Sequence, residues 1–112
     1  MMTTTLPTRH THMGSGSAGT PYGHVPGHTY RDVDVLISHR ADSYRCEIVY
    51  SWGSCQGDDE EHGRRSAIGR GASIDQACED GERRAIKAEI QERYMASALA
   101  EARDQAYDHE VQ

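Results

Sequence analysis

Two segments in which apolar and polar residues alternate constrain the fold of this chain more than any other feature. Residues 30–38 read YRDVDVLIS and residues 44–52 read YRCEIVYSW. In each segment one set of alternate residues is apolar or aromatic, which is the period of a half-buried β-strand. Because only the short segment HRADS separates them, they predict an antiparallel hairpin that turns at Asp42.

The segment 64–85, RRSAIGRGASIDQACEDGERRA, predicts a short third strand (RRSAIG) that leads into a helix. Ser73 is a suitable N-cap, and Gln76 completes an S-x-x-Q capping box. Asp75 lies in the first turn, where the helix dipole favours an acid. Since the chain after Ser73 contains one Gly and no Pro, we expect one helix over about 73–108. The expected fold class is α+β, a three-stranded antiparallel sheet packed against one long C-terminal helix.

The length of this helix leaves two arrangements open for its far half. A helix of about 33 residues spans roughly 50 Å, whereas a strand of about nine residues spans roughly 30 Å. The helix therefore either overhangs the sheet beyond Ile90 or bends back after a break near Tyr94. Its far half carries an apolar stripe of Ile90, Tyr94, Ala98 and Leu99. An overhanging stripe predicts a homodimer through residues 90–106, and a solvated, frayed helix end is the alternative.

The first 29 residues contain no Asp or Glu and consist mostly of Thr, Gly, His, Ser and Pro. Such a composition buries too little apolar area to offset the entropy of ordering. We therefore predict a disordered tail over 1–29 and a single β-β-β-α domain over 30–112. No segment has the apolar run of a secretion signal or a membrane span, so we expect a soluble, cytoplasmic protein with no membrane partner.

The charge balance disfavours binding to nucleic acid. The chain holds 18 acidic and 12 basic residues, and the tail contributes Arg9 and no acid, so 18 acidic and 11 basic residues remain after it. Binding dominated by phosphate contacts needs clustered Lys and Arg. The balance instead favours a protein partner that is basic or that normally binds nucleic acid.

The segment 53–63, GSCQGDDEEHG, predicts an exposed acidic loop beside an aromatic anchor, Trp52. The loop acids, this anchor and the helix stripe supply the residues expected to contact a protein partner. These are Trp52, Asp58, Asp59, Glu60, Glu61, Tyr94 and Leu99.

The sequence predicts no enzymatic chemistry. Three Cys with no CxxC pair favour neither a disulfide framework nor a zinc site. Cys46 and Cys78 fall on apolar faces and are interpreted as core residues. No familiar catalytic motif is present, so we expect no catalytic residues, no metal site and no cofactor.

The junction between the third strand and the helix resembles the C-terminal part of a double-stranded-RNA-binding domain. Its small residues and cap match that family's G-x-G-x-S step and the small residues that follow, at Gly69, Gly71, Ser73, Ala77, Gly81 and Ala85. The family's lysines at the helix start are replaced by Ile74, Asp75 and Cys78. The resemblance implies a duplex-RNA-binding alternative that would use the nearby arginines, Arg64, Arg65, Arg70, Arg83 and Arg84.

The same junction is also similar to HicB-type antitoxins, through Gly71, Ser73, Asp75 and Ala77. That resemblance implies binding to a small basic RNA-cutting toxin. Overall, the sequence predicts a small, acidic, non-enzymatic protein-binding module of the kind found among phage or mobile-element proteins that modulate a host factor. The duplex-RNA-binding domain and the HicB-like antitoxin are the alternatives.

Overall fold

The computed structural model describes residues 10–19, 29–56, 59–90 and 92–111 and, within these ranges, the side chains of all residues except 10, 29, 55–62 and 111. The fold is α+β, as predicted. Four strands precede two helices: β1 (His10–Gly19), β2 (Thr29–Arg40), β3 (Ser43–Gln56), β4 (Asp59–Gly71), α1 (Ile74–Lys87) and α2 (Met95–Val111). Neither of these helices is long and apolar enough to cross a membrane.

The strands form one antiparallel sheet in the order β1-β2-β3-β4. The predicted hairpin is confirmed as β2 and β3, with Val35 opposite Ile48. Its turn lies at Ala41 and Asp42, and Ala41 has a positive φ of 54°. Because alternate residues face the same side, the apolar residues of both strands meet on one face of the sheet.

The sheet has one strand more than the sequence predicts. Strand β1 comes from the segment predicted to be a disordered tail, so that prediction is wrong for residues 10–19. This strand needs few large side chains because its glycines pack directly on the α2 backbone. A Cβ at Gly14 would lie 2.2 Å from the Ala102 oxygen, and one at Gly16 would lie 2.0 Å from the Ala98 oxygen. The rest of the predicted tail, 1–9 and 20–28, lies outside the described residues.

The prediction of an exposed loop over 53–63 is also wrong for the residues that lie in β3 and β4. Strand β3 continues to Gln56 and β4 begins at Asp59, so only two residues separate the paired strands of this hairpin. The antiparallel pairing is continuous from the Tyr44–Gly71 pair to the Gln56–Asp59 pair. Backbone pairing therefore overrides the glycine and acid content from which a loop was predicted.

The single helix predicted over 73–108 is broken in two. Helix α1 ends at Lys87, and Glu89 adopts a left-handed φ of 64°. The amide of Ile90 then donates a hydrogen bond to the Ala85 oxygen (2.8 Å), and the Ile90 side chain is buried. The chain bends back in the second of the two arrangements left open by the sequence, which lets both apolar stripes reach the same sheet.

Both helices lie on one face of the sheet, with α1 against β3 and β4 and α2 against β1 and β2. The core between the two layers is built from small and aliphatic side chains. Its largest fully buried apolar members are Val33, Val35, Ile37, Cys46, Ile48, Cys78 and Ile90. The opposite face of the sheet carries the alternate residues of the strands, and we call it the open face.

Candidate binding surface on the open face of the sheet

The open face contains a groove of about 450 Å³. Its floor includes Leu36 from β2 and Val49 from β3, both of which are half-buried. The strand period places these residues outward because their chain neighbours, such as Val35 and Ile48, face the core. The floor of the groove is therefore partly apolar, and it lies on the face of the sheet opposite the helix layer.

Carboxylates outnumber cations around this groove. Asp34 of β2, Glu47 of β3 and Glu101 of α2 line it, against the single guanidinium of Arg64 on β4. Glu47 is partly neutralised by an ion pair with Arg45 at 3.4 Å. The excess of negative charge favours a positively charged ligand.

Both edges of the sheet are capped by side chains of the helices. On β1, the amides of Ser15 and Ser17 donate hydrogen bonds to Gln105 (3.1 Å) and Glu101 (3.4 Å) of α2. On β4, the amide of Arg70 donates to Asp80 of α1 at 3.1 Å. Because these edge amides already have acceptors, a partner strand that added at either position would have to displace them.

Trp52 lies on the helix side of the sheet rather than on the open face. Its half-buried ring stacks on Tyr50 with the ring centroids 5.2 Å apart. The guanidinium of Arg65 lies 5.8 Å from the Trp52 ring centroid. Trp52 is thus engaged by its own neighbours and stands apart from the groove.

The helix residues predicted to contact a partner have different surroundings. Leu99 is only 5 % exposed and packs in the core, so its predicted role as a contact residue is wrong. Tyr94 is half-buried beside Arg93, whose guanidinium is 5.1 Å from the ring centroid. Because Ile90, Ala98 and Leu99 pack against the chain's own core, the stripe behind the homodimer prediction already has an intramolecular partner.

The predicted acidic loop falls partly outside the described residues. Asp58 lies outside the described residues. Asp59, Glu60 and Glu61 belong to the backbone of β4, and their side chains also lie outside the described part of the chain.

Two of the five arginines proposed for nucleic acid are bound to one carboxylate. Arg83 and Arg84 contact Asp80 at 2.7 and 3.0 Å. The Arg83 hydrogen bond, the Arg70 amide and Arg84 together lower the pKa of Asp80 to about 2. This carboxylate therefore offsets part of the local positive charge.

The other three arginines divide between the two faces of the sheet. Arg64 and Arg70 alternate with core-facing residues of β4 and lie on the open face. Arg65 lies on the helix side, where it donates to the Ala88 oxygen at 3.0 Å and contacts Glu89 at 3.3 Å. The five side chains therefore do not form one continuous basic surface.

The junction before α1 is a helix cap and a packing contact. The predicted cap at Ser73 is confirmed, since the Gln76 amide donates to Ser73 Oγ at 3.1 Å. The Gln76 side chain reaches back one residue further than in a capping box, because its Oε1 accepts from the Ala72 amide at 3.0 Å. Neither Gly69 nor Gly71 has a positive φ. They are needed because a Cβ at either position would collide with α1.

The groove was only partly foreseeable from the sequence. Alternation places Asp34 and Glu47 on the outward side of the hairpin, and Arg64 was named for nucleic acid. The third carboxylate, Glu101, had no sequence signal because it arrives only when α2 folds back over β1. The described residues contain no cluster of three His, Cys, Asp or Glu side chains placed to hold a metal ion.

Comparisons of the chain with protein-family models, with curated proteins and with solved structures return no match.

Proposed function

We propose that this protein is a non-enzymatic binding module that docks a basic segment of a partner protein on the open face of its sheet. The observation that carries the proposal is the groove in which Asp34, Glu47 and Glu101 face one guanidinium, Arg64. Arginine and lysine side chains pair with carboxylates through charge-assisted hydrogen bonds, and their aliphatic portions pack on apolar surface. Leu36 and Val49 supply this apolar surface.

The charge of the whole chain supports the same partner. A formal net charge of −6 accelerates the encounter with a basic protein and opposes that with nucleic acid. The capped edge amides of Ser15, Ser17 and Arg70 favour docking on the face over strand addition at the edge. A small basic toxin, as implied by the resemblance to HicB-type antitoxins, is one partner with this chemistry.

The biological setting belongs to the same proposal. Small size and acidity are common among phage and mobile-element proteins that modulate a host factor, and we extend the proposal to that setting. Self-association remains a separate prediction, which sedimentation of the full chain tests.

A second candidate is duplex-RNA binding, favoured by Arg64 and Arg70 on the open face. Its contacts would be to phosphates, so its affinity would fall steeply with salt concentration. Neutralising the carboxylates of the groove should therefore weaken the binding of a basic peptide, whereas it should strengthen the binding of duplex RNA.

The test measures fluorescence anisotropy with a short labelled peptide of alternating Arg and Leu, and with labelled duplex RNA. The groove variant combines Asp34→Asn, Glu47→Gln and Glu101→Gln. We expect it to bind the peptide roughly tenfold more weakly, since partly exposed charge pairs contribute a few tenths of a kcal/mol each.

A matched control makes the same charge change at exposed positions away from the groove, Glu79→Gln, Asp104→Asn and Asp108→Asn. This variant retains most of the affinity for the peptide. Equal losses in both variants would show that only net charge matters and would refute the groove. Tight RNA binding that Arg64→Gln and Arg70→Gln abolish would establish the second candidate instead.

A further inference from the structure

Two cysteines and one arginine converge from three elements of the fold. Cys46 faces inward from β3 and Cys78 faces inward from α1, and both are fully buried free thiols. Arg103 of α2 reaches Cys78 with its guanidinium. The Nε atom of Arg103 is buried and has no hydrogen-bond partner among the described residues.

The close approach of α1 to the sheet brings the two thiols together. Gly69 allows the α1 backbone to lie against β4, since a Cβ there would be 2.0 Å from the Gly81 nitrogen. Gly81 follows Cys78 by about one helical turn, and a Cβ on Gly81 would lie only 3.4 Å from Sγ of Cys46. The thiols of Cys46 and Cys78 therefore interact across this interface between β3 and α1.

The surroundings shift the pKa values of the two thiols in opposite directions. The hydrogen bond from Cys46 and the Arg103 guanidinium lower the pKa of Cys78, whereas donating that bond raises the pKa of Cys46. A buried guanidinium N–H without an acceptor is unfavourable, and a neutral thiol is a weak acceptor. A thiolate at Cys78 would provide Arg103 with both a negative charge and a strong acceptor.

We propose that Cys46 and Cys78 form a redox site that a small hydroperoxide converts into an intramolecular disulfide between β3 and α1. The Cys78 thiolate attacks the terminal peroxide oxygen, the O–O bond breaks, and Cys78 becomes a sulfenic acid as an alkoxide leaves, or hydroxide when the oxidant is hydrogen peroxide. Cys46 then loses its proton and attacks Sγ of Cys78. The S–O bond breaks, and the departing hydroxide takes up that proton as water. Two thiols thus lose two electrons and one hydroperoxide gains them.

The experiment uses the full chain with Cys55→Ser, so that only the buried pair can react. The folded protein is treated with hydrogen peroxide and followed by intact mass and by peptide mapping without reductant. We expect the loss of two hydrogen atoms, a cross-linked peptide pair containing Cys46 and Cys78, and full reversal by dithiothreitol. With Cys46→Ser added, the sulfenic acid of Cys78 persists and is trapped by dimedone.

Arg103 provides a graded control, because Arg103→Lys keeps the charge and Arg103→Gln removes it. The oxidation rate should fall about threefold to tenfold in Arg103→Gln and less in Arg103→Lys, since the rate follows the thiolate fraction. Circular dichroism verifies that each variant is folded. The proposal is overturned if the folded chain gives only intermolecular disulfides, only over-oxidised Cys78, or no reaction at the pair.

Discussion

Replacement of Gly69 by alanine tests whether close packing of α1 on the sheet holds this fold together. The added Cβ would lie 2.0 Å from the Gly81 nitrogen and 2.4 Å from the Ala77 oxygen. Ordinary contacts of a Cβ begin near 3.4 Å, so α1 would have to move by roughly 1.4 Å. Both obstacles are backbone atoms, which no side-chain rotation can relieve.

The magnitude follows from what this shift disrupts. One extra methyl group in a packed core costs about 1–3 kcal/mol. A shift of this size also lengthens the 3.1 Å hydrogen bond from the Arg70 amide to Asp80. We therefore expect Gly69→Ala to lower the free energy of unfolding by about 3 kcal/mol. For a domain of this size that corresponds to a Tm lower by roughly 10 °C.

Gly81→Ala is the matched control, because it adds the same methyl group to the same interface from the helix side. Its Cβ would meet the Cys46 oxygen and Sγ at 3.4 Å, which is ordinary contact. Replacing a glycine inside a helix stabilises it by about 1 kcal/mol. The two variants should thus differ by about 4 kcal/mol in equilibrium urea unfolding followed by circular dichroism. The reasoning fails if Gly69→Ala unfolds within about 0.5 kcal/mol of the parent, or if Gly81→Ala loses as much stability.

Three further changes probe the cap of α1, the β1 edge of the sheet and the carboxylate of Asp80. Ser73→Ala removes the side-chain acceptor of the Gln76 amide and should cost about 1 kcal/mol in urea unfolding, whereas Ser73→Asp should retain most of that stability. Glu101→Ala with Gln105→Ala removes the acceptors of two β1 amides, so light scattering should show faster aggregation at an unchanged helix content. Asp80 has a folded pKa of about 2, below its ordinary 3.8, so its stabilising contribution is present above pH 4 and is lost as the pH falls towards 2. In Asp80→Asn the slope of stability against pH should flatten in that window, and an unchanged slope would contradict the assigned ion pairs.

The hairpin and the start of α1 could be predicted because their determinants are local. A period of two places Val35 opposite Ile48, and a serine followed three residues later by glutamine caps a helix wherever that helix lies. Strand β1 could not be predicted in this way. Its composition is that of a disordered segment, and it is ordered through contact between Gly16 and the α2 backbone, more than eighty residues away in the sequence.

The candidate binding surface could likewise be predicted only in part. The outward direction of Asp34 and Glu47 follows from strand alternation, so the sequence already placed them on one surface. Glu101 and Leu99 could not be assigned, because α2 carries a weak apolar stripe that suits either an overhanging helix or one folded onto the sheet. The left-handed turn at Glu89 decides between these, burying Leu99 and carrying Glu101 to the β1 edge.

The sequence by itself thus determined the α+β class, the hairpin between β2 and β3, the cap of α1 and the net acidic charge of the chain. Each of these depends on residues a few positions apart, whose periodicity and side-chain chemistry act without reference to the rest of the chain. The tertiary structure decided that a glycine-rich segment completes the sheet, that the helix breaks, and that Cys46, Cys78 and Arg103 meet. Those outcomes depend on missing Cβ atoms and on one backbone dihedral angle, whose consequences appear only when distant segments pack together.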